Sequence, residues 1–430
     1  MWKEWLKRLL SFEQARPAPP VKPGLYHMLQ ERDGVVTRFH LRVENDGSGM
    51  LIANAMAAAR LTATGVLIAK DLLDGLSEDV IVEQLQASFS GGKGDIMHAD
   101  VAKVRDLIEQ ITTPSDAYPV VNLEDAVLSP YGAELIAPLQ ASVPLASPEA
   151  MVPLLDRLWE VGIPHITLVA PDGFVDEHLI RAVERAEDLG MITGVRSRAT
   201  YLNDYGLLAA LRQAGVDHIT MPFAANRAEI HDALYGIGDL DAAYSVLAWL
   251  EDNRVCAEAE IPLIQATLDR VQSTIDTLLG EGADNLSFVA FATLDEALAQ
   301  EMGVFTSDGM AQVATTIEET ADLAQARFMW NPPVEVVPGM ALAEQVIAGP
   351  RCSGDVAVRV EPDGKVFPAR GPFVSAGNLL NEAWQSIWDD EVFRRYRERV
   401  EAPTRCDVCP DLAICAADCP RDPRGWARTQ

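Results

Sequence analysis

Five of the chain's six thiols are crowded where they could bind a metal together. Cys352, Cys406, Cys409, Cys415 and Cys419 fall in the last fifth of 430 residues, Cys256 stands alone, and the first 255 residues hold none. The final four are spaced Cys406-x2-Cys409-x5-Cys415-x3-Cys419. In a reducing compartment clustered thiolates ligate metal before they form disulfides. Tetrahedral sulfur ligation suits zinc as well as an iron–sulfur cluster, and both stay open on spacing alone. Pro403, Pro410, Pro420 and Pro423 leave the surrounding segment little capacity for helix or sheet. A metal must therefore stand in for a core there. Cys256, in a strand-like stretch, reads as a buried small apolar residue.

The elements upstream follow two patterns. From about 138 to 330, apolar strands at 165–169, 192–195, 218–221, 259–263 and 286–289 alternate with helical stretches ending near Gly190, Gly215 and Gly280. The first helix opens at Ser147-Pro148-Glu149, buries Leu154, Leu155, Leu158 and Trp159, and closes at Gly162. Such alternation predicts a parallel sheet covered by helices, open or barrel-like, with any chemistry at the C-terminal strand ends. A small-molecule reading places contacts there near Asp172, Arg196, Arg198 and Asn226.

Residues 35–112 read as a small α+β unit. Thr37, Phe39, Leu41 and Val43 alternate with Arg38, His40 and Arg42, the pattern of a half-buried strand, and Asp46-Gly47-Ser48-Gly49 turns it toward Met50-Leu51-Ile52. Three helices follow: one ending at Leu72-Leu73-Asp74-Gly75, one capped by Ser77 that buries Val80, Ile81, Leu85 and Phe89, and one carrying Val101, Val104, Leu107 and Ile108. Ahead of this unit, residues 1–15 hold an amphipathic docking helix with Trp2, Trp5, Leu6, Leu9 and Leu10 on one face, and residues 16–34 a Pro-rich linker. Residues 2–10 suit a membrane surface, a partner subunit or the body of this protein.

Composition narrows the partners. A formal charge of -29 repels phosphate backbones, which argues against nucleic acid and accommodates a cationic partner, although acidity also serves solubility. No run of about eighteen apolar residues is present, and Met1–Leu10 lacks a signal peptide's continuous apolar core. The expectation is a cytoplasmic protein, with the first helix as its one candidate for peripheral membrane association.

Three stretches resemble known families. The run from Leu61 to Asp79, with Leu85 and Phe89, resembles the winged-helix peptide-recognition domain of enzymes that modify ribosomally made peptides. That resemblance implies a leader peptide added as a strand on the sheet edge. Arg38, His40 and Arg42 would then offer cations to an acidic leader, or form a solvated strand face. The stretch 228–241, with His231-Asp232 and Gly236, resembles the radical S-adenosylmethionine (SAM) barrel. His231 reads as a loop histidine bonding backbone. In that family the first barrel strand ends in a loop of three cysteines, and the second in a Gly-Gly-Glu-Pro-like segment. The corresponding stretches here are residues 139–147, without a thiol, and Val169-Ala170-Pro171-Asp172-Gly173. The cysteine tail, with Glu361-Pro362-Asp363-Gly364, Gly377-Asn378 and Ile387-Trp388, resembles the SPASM auxiliary cluster module. A complete module has seven cysteines for two clusters; this chain has Ala369 at one of those positions and none after Cys419. Five thiolates leave one metal centre as the ceiling.

The fold expected is α/β: a partial (β/α) barrel of radical SAM type at 113–335, preceded by the winged-helix-like α+β domain at 35–112 and followed by a cysteine-rich metal-binding module at 336–430. The function expected is a pseudoenzyme without SAM that binds a peptide or protein partner and holds one 4Fe–4S cluster, or alternatively zinc, on Cys352, Cys406, Cys409, Cys415 and Cys419. The alternative is a redox enzyme or electron carrier using that cluster, with a ligand other than SAM in the barrel.

Overall fold

The computed structural model describes residues 21–397 except 33–34, 55–56, 89–93, 113–119, 123–134, 294, 307–308, 310–311, 314–315, 318, 321–327, 350–356 and 369–373. The docking helix and all five clustered cysteines lie outside the described residues. Two compact units emerge, one comprising residues 1–128 and 134–136, the other residues 129–133 and 137–430.

In the first unit β1 (Gly24–Arg32), β2 (Val35–Val43), β3 (Gly49–Ala53) and β4 (Ala57–Leu61) form an antiparallel meander. β5 (Val120–Asn122) adds parallel to β4. Phe39, Leu41 and Val43 point into a core shared with Leu51, Leu61 and helices Ala63–Leu73, Glu78–Ser88 and Gly94–Thr112. Thr62 caps the first of these by accepting the N–H of Gly65, and the Ser77 carbonyl starts the second by accepting from Ile81.

Three expectations change here. The span read as linker contains a strand, because Tyr26 and Met28 pack against the core while the intervening side chains face away. Val80 is exposed and Val82 takes the buried position, and Phe89 lies outside the described residues. His40 and Arg42 are both 0% exposed, so only Arg38 of that trio retains access to solvent. Arg42 is buried because Glu44 accepts from its Nε at 2.7 Å, and the second Glu44 oxygen accepts from the N–H of Ile136. His40 stacks on its cross-strand neighbour His27, with ring centroids 5.2 Å apart.

The second unit adds successive strands side by side. β6 (Gln140–Pro144), β7 (His165–Val169), β8 (Ile192–Arg196), β9 (His218–Pro222), β10 (Cys256–Leu263) and β11 (Asn285–Thr293) are parallel neighbours in chain order. β12 (Phe305–Thr306) and β13 (Phe328–Glu335) pair with β11. β14 (Ala357–Val360) lies parallel to β6, and β15 (Lys365–Phe367) and β16 (Gly377–Asn378) extend the sheet antiparallel. Helices Pro148–Glu160, Asp176–Leu189, Tyr205–Ala214, Asp239–Asn253 and Val271–Gly280 alternate with the strands, as the apolar spacing predicts. The stretch 139–147, read as a loop, is mostly β6, whose Ala141 and Val143 are fully buried. Cys256 opens β10 half-buried rather than in the core, and Asn285 Nδ2 donates to its Sγ at 3.2 Å. Among the described residues no helix is long and apolar enough to cross a membrane.

Inside this sheet Gly194 of β8 sits opposite His218 of β9, and a Cβ on Gly194 would lie 2.0 Å from His218 Nε2. Only glycine admits that ring, which meets His165 edge-on at 5.0 Å. Burial lowers the His218 pKa, outweighing Glu258 and Asp217, which act to raise it. The unfolded chain then takes up a proton that the folded one refuses. Stability is expected to fall as pH drops from about 6.5 toward the depressed folded value. Thermal melts of wild type and His218→Gln between neutral and mildly acidic pH check this. The variant's curve should be flatter over that window, and parallel curves would refute the assignment.

Candidate functional site

The C-terminal strand ends gather a set of buried charges. Arg196, the last residue of β8, is 2% exposed, and its Nη2 donates to Glu260 of β10 at 2.6 Å; Glu260 is 1% exposed. The same guanidinium donates from Nη2 to the Val346 carbonyl at 2.8 Å and from Nε to that of Ile347 at 3.3 Å. It thereby closes the C-terminus of helix Leu342–Ile347, where the last carbonyls run short of donors and a cation is favoured.

Two residues on, Arg198 donates to Asp172 Oδ2 at 2.8 Å and to the Tyr235 carbonyl, and its Nε lies 4.0 Å from Asp239. Asp239 Oδ1 accepts the N–H of Thr200 at 3.0 Å and its hydroxyl as well. Asp239 Oδ2 lies 3.1 Å from His231 Nε2. Burial pushes Asp239 upward, but the hydrogen bonds from His231 and Thr200 outweigh it and hold its pKa below the usual carboxylate value. Tyr235 is raised well above its ordinary value by burial first and by the Glu260 charge second, which keeps the phenol protonated. Arg196 with Glu260, Arg198 with Asp172, and Asp239 with His231 and Thr200 pair with one another, an arrangement that fixes loops.

The four residues expected at the strand ends are therefore only partly brought together. Asp172 and Arg198 form one ion pair, and Arg196 makes a separate buried one. Asn226 is elsewhere, donating to the Ser273 carbonyl at 3.1 Å and Thr277 Oγ1 at 2.9 Å. His231 is not a loop residue bonding backbone: it lies on helix Ala228–Tyr235 and bonds a carboxylate, because that helix turns back at Gly236 and brings Asp239 alongside. Sequence reasoning missed Glu260, Asp239 and Thr200. The available signal was Glu258 and Glu260 alternating with Ala257, Ala259 and Ile261 in an apolar strand, a placement charged residues rarely tolerate unpaired.

The turn joining β6 to helix Pro148–Glu160 consists of Leu145-Ala146-Ser147, and the Leu145 N–H is already committed to the Val169 carbonyl at 2.9 Å. Its side chains are aliphatic or hydroxyl. A 4Fe–4S cluster requires thiolates, so this turn does not fit one. The C-terminal segment has the opposite chemistry, with four thiols in the thirty residues after Val400 and a fifth at Cys352, enough donors for one four-thiolate centre.

Comparisons with known proteins agree with both the fold and the tail. Residues 352–411 match the family model of SPASM, an iron–sulfur cluster-binding domain, a span that includes Cys352, Cys406 and Cys409. Over 280 residues the chain is 22% identical to the PqqA peptide cyclase of Rhodopseudomonas palustris, covering 62% of this chain and 71% of that protein. A 54-residue stretch is 39% identical to the AdoMet-dependent heme synthase of Methanosarcina barkeri, covering 12% of this chain and 16% of that one. Among solved structures, Streptococcus suis SuiB bound to S-adenosylmethionine matches with a TM-score of 0.56 at 10% identity, covering 91% of this chain and 95% of that one. SuiB bound to its precursor peptide SuiA matches with a TM-score of 0.55, with the same identity and coverage. The chain is thus similar to the radical SAM/SPASM proteins, in the parallel sheet that resembles SuiB and in the SPASM domain that follows it.

Proposed function

We propose that the chain is a non-catalytic relative of the radical SAM/SPASM proteins that binds a peptide or protein partner in a peptide-modification system or multisubunit complex. One iron–sulfur centre stabilises its C-terminal module. The observation that carries this reading is the three-residue turn Leu145–Ser147, which follows the first strand of the parallel sheet and offers no thiolate to a SAM-cleaving cluster. The strand-end charges support it, since Arg196, Arg198, Asp172 and Asp239 are engaged by protein groups. A fold can outlive the chemistry once grafted on it.

The similarity to a PqqA peptide cyclase and to SuiB carrying its precursor peptide favours a peptide as partner. The first unit suits that role as a peptide-recognition domain of winged-helix type. Among the described residues β1 is the edge of its sheet, so one row of its backbone groups faces away from β2 and can accept an added strand. Arg38 is the member of the basic trio that retains access to such a peptide.

The decisive experiment is anaerobic. The purified, cluster-reconstituted protein is reduced in the presence of SAM, and 5'-deoxyadenosine is quantified against a protein-free control. No product above the control is expected. Turnover above it sinks the non-catalytic reading, whatever the protein binds.

A further inference from the structure

The loops that follow β7, β8 and β9 carry apolar side chains that the fold leaves in solvent. Phe174 and Tyr201 meet with ring centroids 6.3 Å apart, and the Arg198 guanidinium lies 5.6 Å over the Tyr201 ring. Arg198 also donates to the Tyr235 carbonyl, one residue before the turn Gly236-Ile237-Gly238. Val175 is 53% exposed, Tyr205 54% and Ile237 98%. Single exposed apolar residues are ordinary; a run linked through one arginine across three loops is not.

Ile237 is held out rigidly. Its neighbours Gly236 and Gly238 have φ of 105° and 85°, a region that strains residues with a Cβ. Asp232 accepts the N–H groups of Gly238 and Leu240 at 2.9 and 3.0 Å, while Asp239 is fixed by Thr200 and His231. A pinned turn presenting an apolar tip loses little freedom on binding, the property of a preorganised anchor.

Charge selects the occupant. Asp176, Glu177, Asp204, Glu229 and Asp241 stand exposed on the same three loops and their following helices. Arg227 faces Glu229 at 3.5 Å, and Arg198 is engaged by Asp172. We propose that this rim is a docking surface for a lysine- or arginine-rich segment of a partner protein, whose apolar side chains pack on Ile237 and Tyr201 while its cations meet the surrounding carboxylates. The proposal deepens the binding reading by giving the partner's charge, and SAM cleavage tests that reading separately.

Binding of a fluorescein-labelled ten-residue peptide of lysine, leucine and glycine to the full chain, followed by anisotropy at physiological salt, tests the surface. The same peptide with glutamate in place of lysine is the charge control. Ile237→Ser and Tyr201→Ser should each weaken the lysine peptide by about tenfold. Ile96→Ser, which alters a residue 57% exposed on helix Gly94–Thr112, should change nothing. All three variants keep the net charge of -29, so general attraction to an acidic chain is the same in each. Equal affinity of all variants, absence of lysine-peptide binding, or equal binding of the glutamate peptide would each overturn the proposal.

Discussion

Replacing Glu260 with alanine is expected to lower the stability of the parallel-sheet unit by about 3–5 kcal/mol, read as a shift of the urea midpoint at neutral pH. The pair it breaks is enclosed, with Arg196 and Glu260 side chains 2% and 1% exposed at 2.6 Å. Removing the carboxylate leaves a buried guanidinium whose remaining acceptors among the described residues are the Val346 and Ile347 carbonyls. A second variant separates this cost from simple loss of packing. The apolar exchange Arg196→Met with Glu260→Leu removes both charges together and should recover most of the loss, because the desolvation penalty disappears with them. An unchanged midpoint in Glu260→Ala, or a double variant as unstable as the single one, contradicts the assignment.

The same pair marks the limit of what the sequence discloses. Strands at 165–169, 192–195 and 218–221, each within a residue of its observed end, were legible because each is a short apolar run bounded by glycine or by a helix cap, and parallel strands buried on both faces leave that signature. β1 was not legible. The prolines from Pro17 to Pro23 dominate its approach, and its alternation of Tyr26 and Met28 with His27 and Leu29 gains meaning only once β2 lies beside it. Nor was the burial of His40 and Arg42, since a charged residue facing its own partner two positions away looks the same in sequence as one facing water. At the strand ends, Arg196 and Arg198 stood out as basic residues after an apolar run. Of the groups they meet, Asp172 was among the expected residues, but Glu260 and Asp239 were not, for Glu260 lies 64 positions from Arg196 and Asp239 lies 39 from the Thr200 it binds, and pairing across strands has no local pattern. The family match at 352–411 supports the reading of the tail as cluster-binding, a reading that rested on the resemblance of the cysteine intervals and the hairpin at 361–364 to the SPASM module.

Those intervals lead to the largest expected effect on metal content. Wild-type chain, purified without oxygen, is expected to carry one metal centre, and Cys409→Ala to lose it. Cys409 lies inside the matched span and in the tightest spacing of the tail, Cys406-x2-Cys409, where two thiolates can reach one metal. Five clustered thiols supply four ligands with one to spare, so loss of Cys409 formally leaves four. The loss is nevertheless expected, because Cys352 is 54 positions from Cys406 and a long loop must close to replace a neighbour two residues away. Metal binding of this kind is folding free energy, on the order of 10 kcal/mol for a structural site, in a segment whose prolines give it little else. Iron, acid-labile sulfide and zinc per chain are measured together with limited proteolysis. About four irons and four sulfides identify a 4Fe–4S centre, and about one zinc without sulfide identifies the alternative. In Cys409→Ala both the metal and the protease resistance of the tail should fall, while Cys256→Ala, half-buried at the start of β10, should keep them. If Cys409→Ala retains the wild-type metal content and resistance, the tail does not depend on the centre that its cysteine spacing implies.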